Sequence, residues 1–294
     1  MVTPTFSVIV PTYDRPAELA QCLAALSSLD YPRERFEVIV VNDGGRRIDP
    51  THPAQINITL IERKNSGPAE ARNTGVARAR GRFIALTDDD CRPDRAWLTE
   101  MERRLSADPD VLVGGKTVNT LDDNACSAAS QLLVTYLYEY YNAQRQHALF
   151  FTSNNMAMSR DAFLNIGGFN PRYRRAGAED RELCDLWTHS GRRMVYAETA
   201  LVRHSHRLTF GSFCRQHFSY GQGALHFRQA RARRDAGPVK IEPLRFYTGL
   251  LRYPWTARAR RPLRIAALLF IAQTANAMGF FREKFFSSRP MAGS

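Results

Sequence analysis

Three consecutive carboxylates, Asp88-Asp89-Asp90, follow the apolar run Phe83-Ile84-Ala85-Leu86 and Thr87. Side by side they repel one another, and each is costly to remove from water without a cation. A hard divalent ion held by carboxylate oxygens answers both problems. A solvated acidic turn capping a helix from about Asp94 answers them too, so the triplet alone leaves both readings open. Other polar groups stand at comparable places. Asp14 lies in Pro11-Thr12-Tyr13-Asp14-Arg15-Pro16 and Asp43 in Asn42-Asp43-Gly44-Gly45. Asp180 lies in Ala178-Glu179-Asp180-Arg181-Glu182-Leu183, and His204 and His206 close Val202-Arg203-His204-Ser205-His206.

The elements that must carry these groups follow from the apolar pattern. Phe6–Val10, Phe36–Val41, Ile58–Ile61 and Phe83–Leu86 are short apolar runs bounded by turn residues, as buried strands are. Between them, Pro16 opens a helix with Leu19, Cys22, Leu23 and Leu26 on one face. Pro68 opens another that runs to Gly81. Alternating strands and helices predict a layered α/β domain with a mainly parallel sheet. Three of the strands then end on Thr12/Asp14, Asp43 and Asp88–Asp90. In open α/β sheets, ligands bind beyond the carboxyl ends of the strands, so these groups are expected to converge on one crevice. Further on, a helix is expected from Asp94 to Leu105, a strand at Val111–Gly115 and a helix around Ala125–Tyr141. A strand at Phe150–Met158, a helix at Glu179–His189 and a short strand at Met194–Ala197 follow.

Six strings occur in order: Val10-Pro11-Thr12-Tyr13-Asp14-Arg15; Val41-Asn42-Asp43-Gly44; Gly67-Pro68-Ala69 with Ala71-Arg72-Asn73 and Gly75; Thr87-Asp88-Asp89-Asp90; Gly167-Gly168-Phe169; and Glu179-Asp180 with Glu182-Leu183. Together they resemble family 2 glycosyltransferases of the GT-A fold, over roughly residues 5–225. The resemblance implies a Rossmann-like three-layer α/β domain that transfers a sugar from a nucleotide-diphosphate sugar, with inversion and a divalent metal, Mg²⁺ or Mn²⁺. A carboxylate cluster meets a diphosphate only through a metal that bridges both. By this resemblance Asp89 is a metal ligand, Asp88 contacts the ribose or another part of the nucleotide and Asp90 lies behind them, Thr87 standing where the family often has an acid. Asp43 accepts a hydrogen bond from the base, and Pro11, Thr12, Tyr13 and Asp14 line the same pocket. Arg72 is either a phosphate contact or a surface helix arginine. Asp180 is the base that takes the acceptor's proton, with Glu182 helping to position the site. His204 completes the metal shell, with His206 the weaker choice. Asn154 and Asn155 either meet sugar hydroxyls or satisfy a turn. Processive relatives carry Gln-x-x-Arg-Trp downstream. The corresponding region here reads Arg215-Gln216-His217-Phe218, which points to transfer of a single sugar.

Composition is ordinary for a globular chain, 44% hydrophobic and 24% charged in 294 residues. Five scattered cysteines without a C-x-x-C argue against a disulfide framework or a zinc site. No basic, apolar leader opens the sequence, so the cytoplasm is the default. Charge is unevenly placed. Residues 1–202 carry 24 Lys/Arg and 26 Asp/Glu, whereas residues 203–264 carry 14 and 2. A basic block of this kind points to an anionic surface, membrane or nucleic acid.

Residues 1–235 are expected to form the transferase domain, with a nucleotide half to about 115 and an acceptor half from 116. Residues 236–294, after a linker at Gly237-Pro238, form a basic and apolar helical extension. Ile265–Phe281 is seventeen residues interrupted by Gln273, Thr274 and Asn276, short for a span and better suited to an interfacial or core helix. The expected partners are a nucleotide sugar, a glycan, lipid-linked or other hydroxyl acceptor, and the anionic inner face of the cytoplasmic membrane. The expected role is in cell-envelope polysaccharide or glycolipid synthesis. A nucleotidyltransferase would share the strand-end acids but needs a glycine-rich basic loop after the first strand, which Pro11–Pro16 is not. A nucleic-acid-binding protein explains the basic block but not the acids.

Overall fold

The computed structural model describes residues 3–48, 56–175, 177–234 and 242–286. Its centre is an eight-stranded mixed sheet. The strands are β1 (Phe6–Thr12), β2 (Phe36–Asn42), β3 (Ile58–Glu62), β4 (Phe83–Leu86), β5 (Cys91–Pro93), β6 (Leu112–Asn119), β7 (Met156–Ser159) and β8 (Met194–His204). They lie in the order β3-β2-β1-β4-β7-β6-β8-β5. The first four are mutually parallel, β7 runs antiparallel to β4 and β6, and β8 is parallel to β6.

The apolar strand runs are continuous because both sheet faces are covered. Val8 and Val10 point to one core and Ile9 to the other. The first core holds α1 (Pro16–Ser27) and α3 (Trp97–Ala107). The second holds α2 (Pro68–Arg78), α5 (Arg160–Asn165) and α6 (Glu179–His189). A third core joins α4 (Ala125–Tyr141), α7 (Phe210–Arg233), α8 (Leu244–Thr256) and α9 (Pro262–Phe286), with Leu133, Phe213, Leu250 and Leu269 buried together. α7 and α9 cross nearly backbone to backbone. A Cβ on Gly221 would sit 1.8 Å from the Asn276 carbonyl oxygen, and one on Gly279 would sit 2.0 Å from that of Phe218. Only glycine permits that approach.

Several expected elements differ in extent. Phe150–Met158 is a strand only from Met156, because Ser153–Asn155 form a 3-10 turn. The turn is held by side chains. Asn155 donates to the carbonyls of Lys116 and Ala200 at 2.9 and 3.0 Å and accepts from Trp97 Nε1 at 2.9 Å. The helix expected from Asp94 starts at Trp97, since Asp94 N–H is bonded to the Leu201 carbonyl. Cys91–Pro93 is a further strand, paired antiparallel with Val202–His204, and β8 continues to His204 to make that pair. β6 likewise runs on to Asn119 beside it. The linker at Gly237-Pro238 and the boundary at residue 235 lie outside the described residues.

Candidate active site

Parallel pairing of β1, β2 and β4 brings Thr12, Asp43 and Asp88–Asp90 to one edge of the sheet, where they line a single cavity of 1370 Å³. Pro11, Tyr13, Arg72, Asp180, His204 and His206 line it too. Asp14 does not. Its backbone sits at φ +53°, and its carboxylate turns away to accept from Arg46 N–H at 2.8 Å, holding the Gly44-Gly45 loop. Asp43 is buried and already engaged, accepting from Gly67 N–H at 2.7 Å and Ser66 N–H at 3.1 Å, with Arg63 Nε at 3.2 Å. Tyr13 is half exposed at the cavity mouth.

The triplet divides its members. Asp88 is the most exposed and takes Arg72 Nη2 at 2.7 Å. Asp89 accepts from Thr12 Oγ1 at 2.7 Å and from Arg15 Nη1 at 3.3 Å. Burial, with Asp90 beside it and against the pull of Arg15, raises its pKa to about 6. Asp90 faces His204 Nε2 at 3.2 Å and His206 Nδ1 at 2.8 Å. Burial opposes its ionisation, but the two imidazoles outweigh it and hold the carboxyl well below the usual range. The strand pair β5–β8 makes this contact, since Cys91 lies opposite His204 and Ser205 N–H donates to the Asp90 carbonyl at 2.9 Å. One ligand atom each from Asp90, His204 and His206 falls within 4.8 Å of the others. The histidine rings stack at 5.3 Å, and His206 Nε2 lies 2.9 Å from Gln216 Oε1 on α7. A carboxylate and two imidazoles converging this closely, with the outer nitrogen of one ring tied down, fit a divalent transition metal. The expected ligand His204 lies in this group, and the acid beside it is Asp90, one residue on from the expected Asp89, placed there by the β5–β8 pair.

Across the cavity, α6 begins with Ala178 in the left-handed region at φ +70°. Such a conformation is costly for alanine and aims the next residues. Glu179 is buried and accepts from Gly177 N–H at 2.6 Å, and burial and Asp180 raise its pKa to about 7. Asp180 is partly buried, and its Oδ1 is shut off from solvent without a hydrogen-bond partner. Burial raises its pKa against the pull of Arg72 and Ser153. Arg72 is buried, not a surface arginine, and lies between Asp88 and Glu179, whose Oε1 is 3.8 Å from its Nη1. Burial opposes its charge, yet Asp88, Asp180 and Glu179 hold it more firmly protonated than usual. Glu182 faces the core instead, accepting from Tyr173 at 2.6 Å and Arg234 at 3.1 Å. Asn154 lines the cavity and accepts from Thr152 at 2.8 Å, whereas Asn155 is wholly structural. The sequence reading assigned no role to Arg15 or Gln216. Arg15 was legible as a cation on the same turn as Thr12. Gln216, on a distant helix, carried no signal.

Residues 7–167 match the family described as Glycosyl transferase family 2, and residues 136–208 match the N-terminal domain of galactosyltransferase. The fold and site define a GT-A glycosyltransferase. The chain belongs to glycosyltransferase family 2. It is 26% identical over 228 residues to glycosyltransferase AglE of Haloferax volcanii, an alignment covering 76% of this chain and 73% of that protein. It is 28% identical to the pre-mycofactocin glycosyltransferase of Mycobacterium tuberculosis, over 74% of this chain and 46% of that longer protein. Among solved structures, the mannosyltransferase PcManGT of Pyrobaculum calidifontis, in complex with GDP-Man and Mn²⁺, superimposes with a TM-score of 0.60 at 23% identity. That match covers 93% of this chain and 76% of the other. Staphylococcus aureus TarS 1-349 superimposes at 0.53 and 17% identity, covering 96% and 91%.

Proposed function

We propose that this glycosyltransferase moves a single sugar from a nucleotide-diphosphate sugar to an acceptor hydroxyl, with inversion, using a divalent metal and Asp180 as base. One observation carries the reading. A three-residue metal-type cluster and the Asp180 carboxylate line the same cavity. Asp90, His204 and His206 would hold the ion, and Gln216 fixes the orientation of His206. When bound, the ion neutralises charge on the departing diphosphate. That the solved mannosyltransferase binds GDP-Man with Mn²⁺ supports a donor of this kind.

The chain's own groups do the rest. Asp43 marks the base end of the donor pocket, Pro11, Thr12 and Tyr13 form its wall, and Asp88, steadied by Arg72, lies where the ribose is expected. Asp180 takes the proton from the acceptor hydroxyl as the acceptor oxygen bonds to the anomeric carbon. The bond from that carbon to the diphosphate oxygen breaks, and its electron pair leaves with the diphosphate. Arg72 favours the ionised form of Asp180 against its burial while offsetting the charge of Asp88.

Residues 1–235 then act as the transferase unit and 236–294 as the part that seats it on an anionic membrane. α9 is long and apolar enough to cross a bilayer, but Ile265, Leu268, Leu269 and Ala272 are buried against α4, α7 and α8. Its opposite face exposes Leu263, Phe270, Met278, Phe281 and Phe285, flanked by exposed Arg261, Arg264 and Arg282. An apolar stripe with basic flanks suits an interfacial position on the inner leaflet. The acceptor would be a membrane-proximal or lipid-linked hydroxyl, in cell-envelope polysaccharide or glycolipid synthesis.

The decisive experiment is a panel of nucleotide sugars assayed for hydrolysis with Mn²⁺ and with chelator. At least one donor should be hydrolysed with metal and spared by chelation. Failure of every donor to bind, or hydrolysis indifferent to chelator, overturns the reading.

A further inference from the structure

The cavity is larger than its donor half requires. Pockets for one small ligand run to roughly 300–1,000 Å³, and this one measures 1370 Å³. Beyond Asp180 the walls come from α4, α7, α8 and α9, where Leu133, Leu137, Phe227, Phe246 and Phe280 form apolar stretches between polar lining residues such as Gln131, Arg228 and Gln273. Four residues of α9, Thr274, Ala277, Phe281 and Lys284, both line the cavity and are exposed. The cavity therefore opens onto the helix that carries the apolar stripe. This also accounts for the polar interruptions of α9, since Gln273 and Asn276 are lining residues.

We infer that the half of the cavity between α4, α7, α8 and α9 binds the hydrocarbon chain of an amphipathic acceptor. The acceptor hydroxyl meets Asp180, and the chain leaves past Ala277 towards the exposed face of α9. This deepens the glycosyltransferase reading and rests on it. Apolar stretches next to a carboxylate suit one molecule with a polar head and an extended tail, which gains affinity with every methylene buried against Leu133, Leu137 and Phe246.

The test is calorimetric titration of the full chain with n-alkyl β-D-glucosides, butyl to decyl, kept below their micelle thresholds. Decyl glucoside should bind at least about ten-fold more tightly than butyl glucoside, each buried methylene adding to affinity. Ala277→Trp, which fills the exit, should abolish that difference. Ala224→Phe, from the α7 wall, should do the same. Both variants should still bind GDP or UDP in Mn²⁺, which shows that they are folded. Phe270→Ser, on the same helix but outside the cavity lining, should leave decyl glucoside binding unchanged. Equal affinities across the series overturn the inference. So does a loss in Phe270→Ser matched by none in Ala277→Trp, because the chain then lies on the outer surface. Absence of nucleotide binding in the unaltered chain sinks the underlying reading instead.

Discussion

Asp89 and Asp90 are neighbours in sequence that share Arg15, at 3.3 and 3.0 Å, but differ in their other partners. Asp89 accepts from Thr12, whereas Asp90 faces two imidazoles. Asp90→Ala or His206→Ala should therefore weaken Mn²⁺ binding by about 10–100-fold or more, read by calorimetry or by electron paramagnetic resonance of the bound ion. Asp89→Asn should cost less, and equal losses would return the ligand role to Asp89. Two nitrogen donors also favour Mn²⁺ over the harder Mg²⁺. Asp180→Asn should lower kcat by roughly 10²–10⁴-fold while nucleotide affinity holds, and normal turnover would rule it out as the base. A base must be ionised to accept a proton, and burial raises the Asp180 pKa. Rate should thus fall with pH at a value above that of an ordinary aspartate, as a kcat profile would show.

At the scale of elements, one ion pair stitches the donor half together. Glu37 on β2 is buried, accepts from Ser7 on β1 at 2.6 Å, and takes Arg80, just after α2, at 2.6 and 2.9 Å. Burial opposes its ionisation, but these bonds prevail and its pKa is lowered. Its folded value lies below its unfolded one, so its contribution is present above the ordinary glutamate pKa and is lost as pH falls through the folded value. Glu37→Gln should destabilise by roughly 1–3 kcal/mol near neutrality. The gap from the unaltered chain should narrow below about pH 4. Denaturant melts at several pH values measure both, and a gap that widens in acid contradicts the assignment. The elements themselves were largely legible: β1, β2, β4, α1, α2, α4 and α6 lie where apolar spacing and Pro/Gly signals place them. β5 was not, because Cys-Arg-Pro has no strand pattern of its own and is extended only by pairing with β8.

For the whole molecule, the charge partition and the third hydrophobic core act together. α9 is part of that core through Leu268 and Leu269, so removing it would expose the partner faces of α4 and α7. Point changes on its outer face are the cleaner probe. Phe270 and Phe285 are 61% and 66% exposed, so changing both to Ser should leave the fold intact and reduce sedimentation with anionic vesicles several-fold. Added salt should reduce the basic contribution further. Unchanged association would place the membrane contact elsewhere.

The sequence by itself determined the layered α/β fold, the strand ends that bear Thr12, Asp43 and Asp88–Asp90, and Asp180 at a helix start. Those features rest on local spacing and turn chemistry, which a linear reading sees. Tertiary structure decided which acid of the triplet meets the histidines, because a strand pair linking Cys91 to His204 sets the register over a separation no local pattern spans. It decided that Arg72 is a buried counter-charge and that Asp14 points away, since both depend on packing between elements. It also decided that the polar residues of α9 belong to a cavity wall. The opening triplet is therefore three groups: one steadied by Arg72, one buried beneath Thr12, and one facing two histidines.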